Sequence, residues 1–223
     1  MKPARDRFFE ADSLRVKICG ITNAADAAHT VAAGADAVGI NLYEKSKRHV
    51  ELEDAMSWLK DVPITRIAVV VNPSTDLLDR IVDSGVFEAI QFHGDEQPDD
   101  CLQSLLPWIR AVRVQSAETL TAALAYGTPW LLLDAYTAAG YGGTGDRVNW
   151  TEARVFRDAQ PDRKIILAGG LTVQNVGAAV EATHPAAVDV ASGVETATSS
   201  RRKDPGLLRA FIDAARDASR SLR

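Results

Sequence analysis

Two cysteines in 223 residues, neither in a Cys-x-x-Cys pair nor beside a histidine cluster, exclude a disulfide framework and leave a zinc site without ligands. The four histidines, His29, His49, His93 and His184, have no metal-ligand spacing either. No uninterrupted apolar run approaches the ~18 residues needed to span a bilayer. The opening MKPARDRFFEADSLR mixes charges of both signs without the apolar core of a secretion signal. A soluble, unexported, cytoplasmic protein is expected, and a reducing compartment suits two unpaired thiols. An excess of positive charge is missing as well. Twenty-five basic against thirty acidic side chains give a net charge of −5, which argues against a nucleic-acid or anionic-membrane partner. Any anion bound here must meet local donors. Nor is there a Pro/Ser-rich linker, a low-complexity tract or a clear internal repeat to divide the chain.

What is present is ordinary in amount and regular in order. Apolar residues make up 46% and charged residues 25%, as in a soluble globular domain with a sizeable interior. Short aliphatic runs alternate with helical, alanine- and leucine-rich stretches, the pattern of parallel βα units. Eight strands are predicted, near Arg15–Cys19, Ala37–Tyr43, Ile64–Val71, Ala89–His93, Ile109–Val114, Trp130–Ala135, Lys164–Ala168 and Ala187–Ala191. Runs such as Ile67-Ala68-Val69-Val70-Val71 and Trp130-Leu131-Leu132-Leu133 are apolar at consecutive positions, as strands buried on both faces require. The first helix is expected to start at a Thr22/Asn23 cap and stop at Gly34. Eight units in about 200 residues suit a closed (β/α)8 barrel, while an open doubly wound sheet shares the same local pattern.

Strands that are dry on both faces make every ionisable residue in them informative, because unpaired burial is costly. By period two, Lys17 shares a face with Cys19 and Gln91 with His93; Asp134 ends strand six, and Asp189 lies within strand eight. In a barrel these C-terminal strand ends form the mouth where active sites are built. Cys19, followed by Gly20, is either a small buried hydrophobe or a functional thiolate whose pKa must be lowered or matched by neighbouring charge. Lys17 suits the second role, or a pairing with Asp189. Cys101 reads as packing. Asp134 precedes Ala135–Asn149, a long connection with four glycines that is suited to closing over a ligand. Asn149 or Thr151 is the better cap for the following helix, which leaves Asp134 free for chemistry.

Two small-residue segments, Ala168-Gly169-Gly170-Leu171 and Ala191-Ser192-Gly193-Val194-Glu195, follow strands seven and eight. Barrels place phosphate cradles there, with backbone N–H groups converging at a helix N-terminus, although glycines also simply punctuate turns. After strand two, Glu44-Lys45-Ser46-Lys47-Arg48-His49 is either a solvated loop or, at the mouth, the source of an arginine fork for a carboxylate.

The segments VKICGIT, GADAVGINLY, KSKRHV, IQFHGDEQP, LLLDA followed by GYGGTGDRVNW, LAGGLTVQNV and VDVASGVET occur in that order from Val16 onward. Together they resemble the phosphoribosylanthranilate isomerase family. The resemblance implies a single-domain (β/α)8 TIM barrel over residues 15–223 after an N-terminal extension, residues 1–14. It implies an Amadori rearrangement of N-(5′-phosphoribosyl)anthranilate to 1-(2-carboxyphenylamino)-1-deoxyribulose 5-phosphate, with no metal or redox cofactor. The partner is then a small-molecule substrate, met by a monomer or homodimer. By the same resemblance Cys19 is the general base, Asp134 the general acid, and Arg48 the partner of the anthranilate carboxylate. Gly169, Gly170, Ser192 and Gly193 hold the phosphate, Asp189 lines the pocket near the sugar, and Gln91 and His93 belong to the substrate-binding wall. Two other readings are weighed against this one. A histidine-pathway aminoaldose isomerase would use two aspartates, which the KICGIT cysteine opposes. A non-catalytic phosphate-binding barrel has no use for Cys19 and Asp134 together. Thr196–Arg202 lengthens the last loop relative to the family, and Glu44 stands where a proline is common.

Overall fold

The computed structural model describes residues 8–10, 13–135 and 148–222. Eight parallel strands, each hydrogen-bonded to the next and the eighth to the first, close a barrel, which excludes the open-sheet alternative. They are β1 (Arg15–Cys19), β2 (Ala37–Asn41), β3 (Thr65–Val70), β4 (Ala89–Phe92), β5 (Trp108–Val114), β6 (Trp130–Ala135), β7 (Lys164–Leu167) and β8 (Ala187–Val190). A helix follows each strand: α1 (Ala24–Ala33), α2 (Leu52–Leu59), α3 (Thr75–Asp83), α4 (Pro98–Leu102), α5 (Ala117–Ala122), α6 (Trp150–Ala159), α7 (Val176–Thr183) and α8 (Pro205–Arg220). The predicted strands match within one or two residues. β2, β3, β4, β7 and β8 stop one or two residues short of the expected ends, and Tyr43, Val71, His93, Ala168 and Ala191, just past them, line the mouth.

Local signals act where the sequence places them. The Asn23 side chain accepts from the Asp26 amide to start α1, and Gly34 closes it in the left-handed region at φ 91°. Asn149 accepts from the amides of Thr151 and Glu152 and caps α6, so Asp134 is not needed there.

The barrel has two apolar layers. Outward-facing strand residues, among them Val16, Ile18, Val38, Ile40, Ala68, Val70, Leu131 and Val188, pack against the helices through Ala27, Leu59, Ile81, Val176, Phe211 and Ile212. Inward-facing residues form a second, separate cluster: Ala37, Ile67, Ala89, Ile109, Ala111, Trp130, Leu132, Ile166, Ala168 and Ala187. Phe8, from the N-terminal extension, completes this inner cluster and is fully buried. Its ring lies 5.6 Å from that of Trp130, and the Phe9 ring meets Trp130 edge-on at 5.3 Å. Phe8 and Phe9 therefore stopper the N-terminal end of the barrel.

After β8 a short 3-10 turn, Ser192–Val194, leads into an antiparallel hairpin, β9 (Glu195–Thr196) and β10 (Ser199–Lys203). The lengthened last loop is this hairpin. It reaches across the mouth: Thr22 Oγ1 donates to the Arg201 carbonyl, Arg201 Nη1 to the His49 carbonyl, and the Lys203 amide to Asp26. No helix among the described residues is long and apolar enough to cross a membrane.

Candidate active site

Period-two alternation carries each inward row from the sealed base to the open mouth. Ala89 continues to Gln91 and His93, Leu132 to Asp134, Ala187 to Asp189 and Ala191, and Ala37 to Asn41. The upper members of these rows line a cavity of about 570 Å³ at the C-terminal end of the barrel. Cys19, Arg48, Gln91, His93, Asp134, Gly169, Gly170, Asp189 and Ser192 all line it. Gly193 does not. Its backbone is pressed against the loop after β7, where a Cβ would sit 2.0 Å from the Leu171 carbonyl oxygen. Gly193 therefore lets the two glycine loops touch.

On one side of the floor stands a buried ion pair. Lys17 Nζ, fully buried, donates to Asp189 Oδ1 at 2.9 Å, joining adjacent strands β1 and β8. Burial works against the Lys17 ammonium, but Asp189 and Cys19 beside it outweigh that penalty and hold its pKa above the usual lysine range. Cys19 lies one period further up. Burial pushes its thiol pKa up and Asp189 adds to this, against the opposing pull of Lys17, Lys203 and Arg48. Cys101 is a different case: fully buried in the outer shell, pushed up to about 12 by desolvation, it packs as expected.

On the opposite side Asp134, at the end of β6, accepts from the Ala135 amide through Oδ1 at 2.9 Å. Its Oδ2 lies 3.3 Å from His93 Nε2, and His93 Nδ1 is 3.0 Å from Gln91 Nε2. Among the described residues the buried Gln91 Oε1 has no hydrogen-bond partner, and His93 Nε2 has only this approach to Asp134, which falls short of hydrogen-bond geometry. The turn after His93 is fixed from below. Glu96 accepts from the Asn72 amide at 2.7 Å and the Gly94 amide at 2.9 Å, and takes Arg110 Nη1 at 2.5 Å. The glycine-rich connection expected to close over the site, residues 136–147, lies outside the described residues.

Gly169 and Gly170 both adopt left-handed backbone, at φ 78° and 61°. Among the described residues neither amide has an acceptor. The cradle differs from the one the sequence suggests, since α7 starts only at Val176 and a three-residue turn follows β8. Left-handed glycines, rather than a helix N-terminus, present these donors.

Arg48 stretches across the end of β1, over Gly20, where a Cβ would fall 2.3 Å from Arg48 Cδ. Its Nε and Nη2 donate to Glu195 Oε1 and Oε2 at 2.5 and 3.0 Å. Lys203 Nζ donates to the same Oε1 at 3.2 Å and to the Ala191 carbonyl at 2.9 Å. Burial lowers the Lys203 pKa, while Glu195 opposes that shift. Glu195 and Lys203 escape a reading of the sequence because they meet Arg48 only through the hairpin, 147 and 155 residues along the chain. Gly39 and Asn41, inward on β2, carry no signal of their own.

Comparison with known proteins identifies the family. Residues 16–214 match the family model described as N-(5′-phosphoribosyl)anthranilate (PRA) isomerase. The N-(5′-phosphoribosyl)anthranilate isomerase of Pseudomonas fluorescens is 41% identical over 211 residues, covering 93% of this chain and 98% of the relative. A crystal structure of phosphoribosyl anthranilate isomerase from Thermotoga maritima superposes with a TM-score of 0.84 at 37% identity, over 92% of this chain and 99% of that one. Another structure of such an isomerase, in complex with reduced 1-(o-carboxyphenylamino)-1-deoxyribulose 5-phosphate, gives 0.79 at 33% identity, over 92% and 99%. With the family model spanning nearly the whole barrel and relatives matching end to end, the chain belongs to the N-(5′-phosphoribosyl)anthranilate isomerase family.

Proposed function

We propose that the mouth of this barrel carries out the family's reaction, the isomerisation of N-(5′-phosphoribosyl)anthranilate in tryptophan biosynthesis, by general acid-base catalysis with Asp134 as acid and Cys19 as base. The observation that carries the reading is the convergence of these two side chains on one cavity with Arg48 and two left-handed glycine amides. In the proposed course, Asp134 gives a proton to the furanose ring oxygen as the ring opens to a Schiff base. Cys19 takes the C2′ proton, the enolamine forms, and tautomerisation yields the ketone. The form that takes this proton is the thiolate, the thiol's own proton having gone to solvent; burial and Asp189 work against that form, and Lys17, Lys203, Arg48 and the cationic Schiff base favour it.

The remaining residues are read as binding groups. Arg48 takes the anthranilate carboxylate, and the amides of Gly169 and Gly170 with Ser192 take the phosphate. Gln91 offers the sugar its amide oxygen, which has no partner among the described residues. Asp189 lines the pocket but is committed to Lys17, which tells against the two-aspartate isomerase. Every group named comes from one chain, so a monomer and a homodimer serve the reaction equally, and two unpaired cysteines suit the cytoplasm. Residues 15–223 are read as the catalytic domain. Purified protein is expected to consume freshly generated N-(5′-phosphoribosyl)anthranilate, followed as loss of its fluorescence. Absence of turnover by folded protein overturns the reading.

A further inference from the structure

A buried guanidinium without a counter-ion is strongly unfavourable, so an arginine poised for a substrate carboxylate needs an internal anion of its own. Glu195 is that anion. Both side chains are more than nine-tenths buried, and their contact is bidentate. The contact uses only one edge of the guanidinium, the side formed by Nε and Nη2. The end-on edge, Nη1 with the second hydrogen of Nη2, has no partner among the described residues, on a side chain that lines the cavity. Planarity then matters: fixing one edge fixes the direction of the other.

We propose that Glu195 is a positioning residue that sets substrate specificity: it grips the side edge of Arg48 so that the end-on edge is presented, preformed, to an aryl carboxylate. The inference rests on Arg48 as the carboxylate ligand and deepens that reading. Charge agrees with it. Arg48 and Lys203 are cationic and Glu195 anionic, so the trio carries one net positive charge, matching one carboxylate. Lys203 has a defined part. Its ammonium bridges Glu195 to the Ala191 carbonyl and so ties the carboxylate to the end of β8. The hairpin supplies both groups, and its bonds to the loops after β1 and β2 hold them over Arg48.

The test uses two ligands that do not require turnover: the reduced product 1-(o-carboxyphenylamino)-1-deoxyribulose 5-phosphate and its counterpart lacking the carboxylate. Calorimetric Kd values are measured for the wild-type chain, Glu195→Gln and Arg48→Ala. The wild type should prefer the carboxylate ligand by roughly tenfold or more, the scale of a charge-assisted hydrogen bond. Glu195→Gln should weaken that ligand by about tenfold while leaving the decarboxylated one within about twofold. Equal weakening of both ligands would make Glu195 a general prop of the hairpin. Tighter binding of the carboxylate ligand would make it a competitor for Arg48, and no change would make it idle. Each of those results overturns the proposal. If Arg48→Ala shows the wild-type preference, it is the arginine reading that fails, whatever Glu195→Gln does.

Discussion

The two ends of this barrel are built from the same strands and could hardly be less alike inside. At the N-terminal end the inward positions are Ala37, Ile67, Ala89, Ile109, Trp130 and Ala187, and Phe8 fills the remaining space. Two or four residues further along the same strands, the inward positions are Asn41, Gln91, His93, Asp134 and Asp189 around an open cavity. Backbone geometry is shared, so the division of labour comes from side chains alone. The apolar end resists unfolding through burial. The polar end contains partly desolvated ionisable groups, whose cost the apolar end offsets.

If that division is right, mutations at the two ends must separate stability from turnover. The largest effect is expected at the base. Phe8→Ala removes a fully buried ring and should lower unfolding free energy by about 3 kcal/mol in urea titrations, with kcat and KM unchanged. A fall in kcat comparable to the loss of stability would show that the base is not a separate structural layer. At the mouth the pattern should invert. Cys19→Ser and Asp134→Asn should each reduce kcat by at least ~10²-fold while urea midpoints stay close to wild type, and full activity in either variant removes its assigned role.

The smallest effect sharpens the electrostatics of the mouth. Burial raises the Cys19 pKa, so less thiolate is present at any given pH than for a free cysteine. The rate of alkylation by iodoacetamide in the unliganded protein should therefore rise with pH to a midpoint above the ordinary value of ~8.5. Cys101, pushed up to about 12 and fully buried, does not interfere. A midpoint at or below the ordinary value would mean that Lys17, Lys203 and Arg48 outweigh burial and that the base stands ionised before substrate arrives.

Much of this organisation is legible along the chain because its causes are local. Consecutive apolar residues in Ile67–Val71 announce a strand buried on both faces, and Asn23, Gly34 and Asn149 mark helix ends through their own backbone contacts. Period two places Cys19 above Lys17 and His93 above Gln91. Other features have no local cause. Phe8 looks like part of a charged extension until the barrel offers its open base. Gly193 owes its lack of a side chain to Leu171, which lies against it from the neighbouring loop.

By itself the sequence determined eight βα units, the alternation that turns some residues inward, and a set of reactive side chains at the strand ends. Those follow from nearest-neighbour sterics and the two-residue period of a strand. Barrel closure brings β8 beside β1 and so lets Lys17 neutralise Asp189. Only the tertiary structure decided which charges meet across loops. Glu195 reaches Arg48 because the β9–β10 hairpin folds back over the mouth, and two buried charges so far apart in the chain pair only where the fold removes water from both.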